Sequence, residues 1–163
     1  MIKIVCSEIN TGKSTWMRKD FERHPKADGF VCIKAFLNDV HIGYNLVHLC
    51  SGRTRIFIRK LGYLERNWQE VYQIGENYSF CKQGFEFADE IALQALDRKA
   101  TPFYLDEIGP LELQGKGFAK LFQNLLDHRP DIVVAVRKPL LTKVVEAFSI
   151  SSFELVTPWE DGA

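Results

Sequence analysis

The sequence predicts an α/β fold of three layers, with a mostly parallel sheet and an antiparallel β insertion after the first helix. Two observations favour this fold. At both ends of the chain, short apolar runs alternate with amphipathic helical segments, as in sheets whose parallel strands are joined by helices. Between those ends, three β-rich runs follow one another with only turn residues between them. With 163 residues, we expect a single domain over 1–163.

The N-terminal third is expected to run strand, loop, helix and then meander. Residues 2–6 form a β-rich run, and an amphipathic segment begins at Lys13 after a polar loop and extends to about residue 22. An Asn-Asp pair and a Ser-Gly pair then separate three β-rich runs, and both pairs are typical of turns. The strands of this antiparallel meander are predicted at 30–37, 40–49 and 54–58.

The remaining elements follow from hydrophobic spacing. Residues 60–79 are rich in aromatic side chains, and we expect a packed, partly helical connection there. Apolar residues at helical spacing then predict three helices, around 87–96, 118–126 and 141–148. Apolar runs predict strands at 103–105, 132–136 and 153–156, of which the middle one is continuous enough to be buried on both faces.

Composition excludes several classes of protein. Lys plus Arg and Asp plus Glu both number 21, so nothing in the charge indicates a nucleic-acid partner. We expect no membrane contact, because no apolar run is long enough to span a bilayer. The four cysteines are scattered, without the spacing of a zinc site or a disulfide framework, so a cytoplasmic location is expected. The sequence leaves the oligomeric state open.

The loop between the first strand and the first helix has the features of a phosphate-binding loop. Such a loop directs backbone N–H groups and the positive end of a helix dipole towards phosphate oxygens. Lys13 is expected to reach the β- and γ-phosphates, and the hydroxyl of Ser14 to bind Mg²⁺. The candidate phosphate-binding residues are Ser7, Glu8, Ile9, Asn10, Thr11, Gly12, Lys13, Ser14 and Thr15.

This loop departs from the pattern GxxxxGK[ST] at its start. Ser7 stands where the pattern has glycine, and Asn10 stands where a second glycine is common. Asparagine enters the left-handed region at modest cost, so that exchange is physically understandable. The alternative is a helix N-terminus that only looks like a phosphate loop. The position directly between a strand and a helix favours the phosphate loop.

Two adjacent carboxylates end the apolar strand at 103–105. In nucleotide-hydrolysing enzymes with this loop, an acid at such a strand end holds Mg²⁺, usually through water. Asp106 is therefore predicted to lie at the metal, and Glu107 to act as the general base on the attacking water. The alternative is a pair of solvated acids, which is common at the end of a strand.

Arginines provide two weaker candidates. Arg137 follows the strand at 132–136, and it can stabilise charge on the γ-phosphate if that strand lies beside the first one. A surface arginine that begins a helix is equally consistent with the sequence. Arg53, Arg55 and Arg59 lie in the meander, where a solvated strand edge is the better interpretation. The four histidines share no spacing, and we assign them no role.

With these residues identified, the chain resembles the small nucleoside-triphosphatase family of P-loop proteins, known from thermophilic prokaryotes and humans. The most specific match is the segment Asp-Glu-Ile-Gly-Pro-Leu-Glu-Leu at 106–113, with Phe118 shortly after it. The phosphate loop and a hairpin with Gly29 and Gly43 also match. The resemblance implies slow, Mg²⁺-dependent hydrolysis of nucleoside triphosphates with broad base tolerance, and it implies that Glu107 is the catalytic acid/base.

The chain departs from that family at the start of the loop, in the first hairpin strand and after the last strand. Cys32-Ile33-Lys34 replaces the usual acidic or hydroxyl residues, and Pro158-Trp159-Glu160-Asp161 follows Thr157 in place of a Thr-x-x-Asn-Arg element. Trp159 is a candidate for stacking on the base, and filling the end of the core is equally consistent with the sequence. Two other functions stay open. One is a nucleotide or small-molecule kinase whose acceptor pocket lies in the meander, and the other is a degenerate, non-hydrolysing nucleotide-binding module.

Overall fold

The computed structural model describes residues 1–8 and 12–158. The helices are α1 Lys13–Phe21, α2 Lys82–Asp97, α3 Pro110–Leu113, α4 Ala119–His128 and α5 Leu141–Ala147, with a 3-10 turn at Lys138–Leu140 before α5. The strands are β1 Ile2–Ser7, β2 Asp28–Leu37, β3 Val40–His48, β4 Thr54–Lys60, β5 Glu70–Ile74, β6 Tyr78–Cys81, β7 Phe103–Ile108, β8 Ile132–Arg137 and β9 Glu154–Val156. None of these helices is long and apolar enough to cross a membrane.

In the described part of the chain the strands form one mixed sheet of nine strands, in the order β5-β6-β4-β3-β2-β7-β8-β1-β9. Four pairings are parallel and four are antiparallel, so the prediction of a mostly parallel sheet is wrong. The antiparallel strands continue the sheet outward from β2. Strand β2 pairs in parallel with β7 and in antiparallel with β3, because a tight turn after Leu37 reverses the chain without a crossover helix.

The segment at 60–79 also differs from its prediction. It contains no helix in the structure, and β5 and the start of β6 form a hairpin there. Three of its four aromatic residues, Trp68, Tyr72 and Tyr78, lie in this hairpin or just before it. Trp68 donates from Nε1 to Ser79 Oγ at 2.8 Å. The ring centroids of Tyr72 and Phe85 lie 5.6 Å apart. Strand β5 has only five residues, so its sequence is too short to show whether its apolar residues follow helical spacing or the alternation of a strand.

The predicted strands and helices elsewhere are confirmed, with ends that differ by a few residues. The continuous apolar run of β8 is buried because helices cover both faces of the sheet. Val133 and Ala135 pack on the side that carries α1, whereas Val134 and Val136 pack on the side that carries α2, α4 and α5. This alternation explains why no polar residue interrupts the strand.

A charged cluster fixes the start of β2. The carboxylate of Asp28 is 2% exposed and lies 2.7 Å from His48 Nε2, and it accepts from Arg98 Nη2 at 2.6 Å. Three residues here, Asp28, His48 and Cys50, each offer one atom that could bind a metal. These three atoms lie within 4.8 Å of one another. The guanidinium of Arg98 also lies 3.2 Å from Cys50 Sγ, so Arg98 already supplies positive charge to this cluster. His48 therefore has a structural role that its spacing did not reveal.

We expect Asp28→Asn to lower the free energy of unfolding at pH 7 by about 2 kcal/mol. Breaking a buried ion pair costs roughly 3–5 kcal/mol, and we expect less because Arg98 is 48% exposed and regains water. Burial acts to raise the pKa of Asp28, but hydrogen bonds from Arg98, Cys50 and Gly29 and the charge of His48 outweigh it, so the pKa lies below 3.8. Urea unfolding at several pH values measures the effect.

The sign of the pH dependence follows from that lowered pKa. The stabilisation by Asp28 is fully present above pH 3.8 and is lost as the pH falls through the pKa of the folded state. The difference between Asp28→Asn and the parent should therefore shrink in acid. Asp127→Asn, which changes an exposed carboxylate on α4, is the control and should stay within about 0.5 kcal/mol of the parent. A difference that is constant from pH 7 to pH 2 would contradict this interpretation.

Candidate functional site

The carboxyl ends of three neighbouring parallel strands meet at one edge of the sheet. Strand β1 pairs with β8 so that Ser7 lies opposite Arg137, and β7 pairs with β8 so that Asp106 lies opposite Ala135. Strand β8 therefore lies beside β1. The candidate role of Arg137 at the γ-phosphate required this arrangement. Ligands of open α/β sheets bind in the crevice outside such strand ends.

The described part of the loop provides a buried cation. Gly12 adopts the left-handed conformation, with φ of 88°, immediately before α1. The side chain of Lys13 is 7% exposed, and its Nζ donates to the carbonyl oxygen of Glu8 at 2.8 Å. Ser7 ends β1, and Thr15 is exposed on the first turn of α1. Ile9, Asn10 and Thr11, like Trp159 at the other end of the chain, lie outside the described residues.

The hydroxyl of Ser14 donates to the carboxylate of Asp106, which joins the start of α1 to the end of β7. Asp106 is 3% exposed, and it also accepts from the backbone N of Cys32 at 3.0 Å. Burial and the charge of Glu107 raise its pKa to about 6, against the hydrogen bonds from Ser14 and Cys32. A hydroxyl and a carboxylate side by side are oxygen ligands of the kind that Mg²⁺ prefers, so this pair fits the metal that the sequence predicts.

Glu107 faces Arg137 across the strand ends. Arg137 Nε donates to Glu107 Oε1 at 2.8 Å, and the two side chains are 38% and 33% exposed. The register between β7 and β8 shifts at this point, because Asp106 lies opposite Ala135 and Ile108 lies opposite Val136. Glu107 is therefore the extra residue of a β-bulge. Successive residues of a regular strand point to opposite faces, and the bulge interrupts that alternation between Asp106 and Glu107.

Of the meander arginines, Arg59 differs from its prediction. It is 4% exposed, and its guanidinium donates to the carbonyl oxygens of Tyr44 at 3.2 Å and Ile58 at 2.9 Å and to Asn45 Oδ1 at 2.8 Å. A solvated edge is therefore wrong for Arg59, which holds β3 and β4 together. Arg53 and Arg55 are exposed, as expected. Their Cζ atoms lie 5.4 and 4.9 Å from the centroid of the Phe87 ring.

Sequence reasoning missed two groups near the site. The first is the backbone N–H of Cys32, at a position that attracted notice only for its side chain. The second is Glu112, which is buried next to the loop that follows Glu107 and accepts two backbone hydrogen bonds. The pattern Asp-Glu-Ile-Gly-Pro-Leu-Glu contained the only sequence signal for Glu112, since local spacing does not show that a glutamate at that place is buried.

Comparisons with known proteins find similar sequences among nucleoside-triphosphatases. The nucleoside-triphosphatase THEP1 of Thermotoga maritima is 23% identical over 158 residues, which cover 93% of this chain and 84% of that protein. The THEP1 of Pyrobaculum aerophilum is 27% identical over 130 residues, 78% of this chain and 68% of that protein.

Among solved structures, the crystal structure of THEP1 from Aquifex aeolicus aligns with a TM-score of 0.72 and 25% identity over 97% of this chain and 91% of that one. The solution structure of a human cancer-related nucleoside triphosphatase shares the fold, with a TM-score of 0.66 and 18% identity over 98% and 89%. A family model described as NTPase matches residues 3–157. The resemblance seen in the sequence is confirmed, and the chain belongs to this NTPase family.

Proposed function

We propose that this protein binds a nucleoside triphosphate together with Mg²⁺ and slowly hydrolyses it to a nucleoside diphosphate and phosphate. The observation that carries the proposal is the pairing of Ser14, on the helix after the loop, with Asp106 at the end of β7. The family membership and the names of its relatives support the same activity. Glu107 and Arg137 lie at the same edge of the sheet, where the γ-phosphate would be bound.

Phosphate binding is assigned to the loop at 7–15 and to Lys13. Among the described residues, the ammonium of Lys13 donates to the carbonyl oxygen of Glu8. A carbonyl is a neutral acceptor, and a phosphate oxygen carries charge, so the bound triphosphate would be the stronger partner. Backbone N–H groups at the start of α1 would bind the remaining oxygens, helped by the positive end of the helix dipole.

Mg²⁺ is assigned to Ser14 and Asp106. When bound, the ion would neutralise negative charge on the phosphate oxygens. The hydrogen bonds from Ser14 and from the backbone N of Cys32 favour the ionised form of Asp106, which is the form that binds a metal ion. The N–H of Cys32 keeps that carboxylate oriented from the β2 side.

Glu107 is proposed as the general base and Arg137 as the group that stabilises charge on the γ-phosphate. Both side chains are partly exposed and paired with each other. A bound γ-phosphate would compete with Glu107 for the guanidinium of Arg137, because both are anionic oxygen acceptors. That exchange would leave the Glu107 carboxylate available to accept a proton from water.

We also propose that 1–163 is a single P-loop domain of three layers and that it acts in the cytoplasm. Helices on both faces of the sheet support the layers. All four cysteines, which are Cys6, Cys32, Cys50 and Cys81, are free thiols, as is usual in a reducing compartment. The zero net charge gives no support for a nucleic-acid partner.

Calorimetric titration with ATP and GTP, with and without Mg²⁺, followed by a phosphate-release assay, tests this function. We expect binding that Mg²⁺ strengthens, and slow release of phosphate without any added acceptor. Formation of nucleoside diphosphate that requires an added nucleoside, with the phosphoryl group transferred to that nucleoside and not released as phosphate, would instead indicate a kinase. Binding without turnover under either condition would indicate the non-hydrolysing module, and no binding would overturn the proposal.

A further inference from the structure

A buried carboxylate that the proposed mechanism does not use lies directly behind the end of β7. The side chain of Glu112, in α3, is 8% exposed. Its Oε1 accepts from the backbone N of Gly109 at 2.8 Å, and its Oε2 accepts from the backbone N of Phe118 at 2.9 Å. One side chain thus connects the residue that follows β7 to the residue that precedes α4.

The surroundings leave this carboxylate little freedom. Gly117 packs so closely that a Cβ built there would lie 1.9 Å from Oε2 of Glu112. Burial raises the pKa of Glu112 to about 6, even though the N–H groups of Phe118 and Gly109 favour the ionised form. A buried carboxylate is costly unless its oxygens are satisfied, so the two N–H groups determine where it stays.

Glu107 lies close in the chain to the backbone that Glu112 binds at Gly109. Because Glu107 is the extra residue of a β-bulge, the ladder between β7 and β8 does not fix its position directly. Its side chain is paired with Arg137, and its backbone position depends on the residues on either side of it, of which Ile108 lies opposite Val136 in β8. Asp106 is held by Ser14 and by the N–H of Cys32, and Gly109, two residues beyond Glu107, is held by Glu112.

We propose that Glu112 is a positioning residue for hydrolysis, which fixes the backbone beyond the bulge and thereby holds Glu107 at the γ-phosphate. This inference rests on the proposed role of Glu107. It assigns no substrate contact to Glu112. It predicts that displacing Glu112 lowers turnover and leaves nucleotide affinity unchanged, since a misplacement of about 1 Å costs on the order of 100-fold in rate.

Two pairs of variants test the proposal. Glu112→Gln keeps the volume but offers only one oxygen to the two N–H groups, and Glu86→Gln, at an exposed site on α2, is its control. Gly117→Ala keeps the glutamate but forces its carboxylate to move. Gly115→Ala is the matched control, because Gly115 is also left-handed, with φ of +77°, and has nothing within 4 Å of its Cβ position.

The readouts are kcat, the Kd for a non-hydrolysable nucleoside triphosphate with Mg²⁺, and the melting temperature. We expect Glu112→Gln and Gly117→Ala to lower kcat by on the order of 10- to 100-fold, with Kd within about twofold of the parent. Both controls should keep the parental kcat. A lower melting temperature with unchanged kcat in both test variants would show that Glu112 only stabilises the fold, and it would overturn the proposal.

A double-mutant cycle with Glu107→Gln separates this inference from the proposed function. If Glu112 acts through Glu107, adding Glu112→Gln to Glu107→Gln should lower kcat no further. Losses that multiply in the double variant would overturn the positioning role and leave the proposed function intact. Parental turnover in Glu107→Gln alone would instead show that Glu107 is not the base. It would then also exclude the positioning role of Glu112.

Discussion

Glu107→Gln is expected to keep nucleotide binding and to lower kcat by on the order of 10²- to 10⁴-fold, the contribution of a general base. The amide has nearly the same volume as the carboxylate but accepts no proton from water. Its oxygen can still accept from Arg137 Nε, which lies 2.8 Å from Glu107 Oε1 in the parent, so the local geometry should persist. Phosphate release under saturating nucleotide and Mg²⁺ measures kcat, and calorimetry measures Kd.

The matched control is Glu154→Gln, which changes a glutamate that is 56% exposed on the edge strand β9. It should turn over at the parental rate. A Glu107→Gln protein as active as this control would exclude Glu107 as the base. The activity would then depend on Lys13, Arg137 and Mg²⁺ through charge stabilisation alone.

Much of the fold could be predicted from the sequence because its strongest signals are local. The sequence of β8 is a continuous apolar run, and that of α4 has apolar residues at helical spacing. Both patterns indicate burial, and both elements are found where they were predicted. The sheet as a whole was less predictable, because strand order and direction depend on pairing between distant segments. The pattern of 30–59 predicted the meander but did not show that β6 and β5 extend the same sheet beyond it.

The same distinction applies to the candidate site. Lys13, Ser14 and Asp106 could be selected because their residue types and positions between elements carry the signal. The N–H of Cys32 could not, because any residue except proline offers that donor at that place. Arg59 was predicted to be solvated because it lies with Arg53 and Arg55 in the meander, where arginines are typical of an exposed strand edge. Its burial depends on carbonyl oxygens of β3 and β4, which only the folded chain brings together.

Lys13→Ala is expected to weaken nucleotide binding by at least about 100-fold, or about 2.7 kcal/mol. The residue Lys13 is 7% exposed and its ammonium donates to the carbonyl oxygen of Glu8, and alanine would deprive the triphosphate of a charge-assisted hydrogen bond. Calorimetric titration with a non-hydrolysable nucleoside triphosphate measures the loss. Lys120→Ala, at an exposed position on α4, is the control and should bind like the parent.

This loss should occur with and without Mg²⁺, because Lys13 acts on the phosphates themselves, whereas Glu107→Gln should affect turnover only. The two variants together therefore distinguish binding from chemistry at one site. Unchanged affinity in Lys13→Ala would mean that the nucleotide binds elsewhere, and Ser7 and Asn10 would then be signs of a loop that has lost its function. A large loss would show that the loop binds phosphate despite having Ser7 and Asn10 where the pattern has glycine.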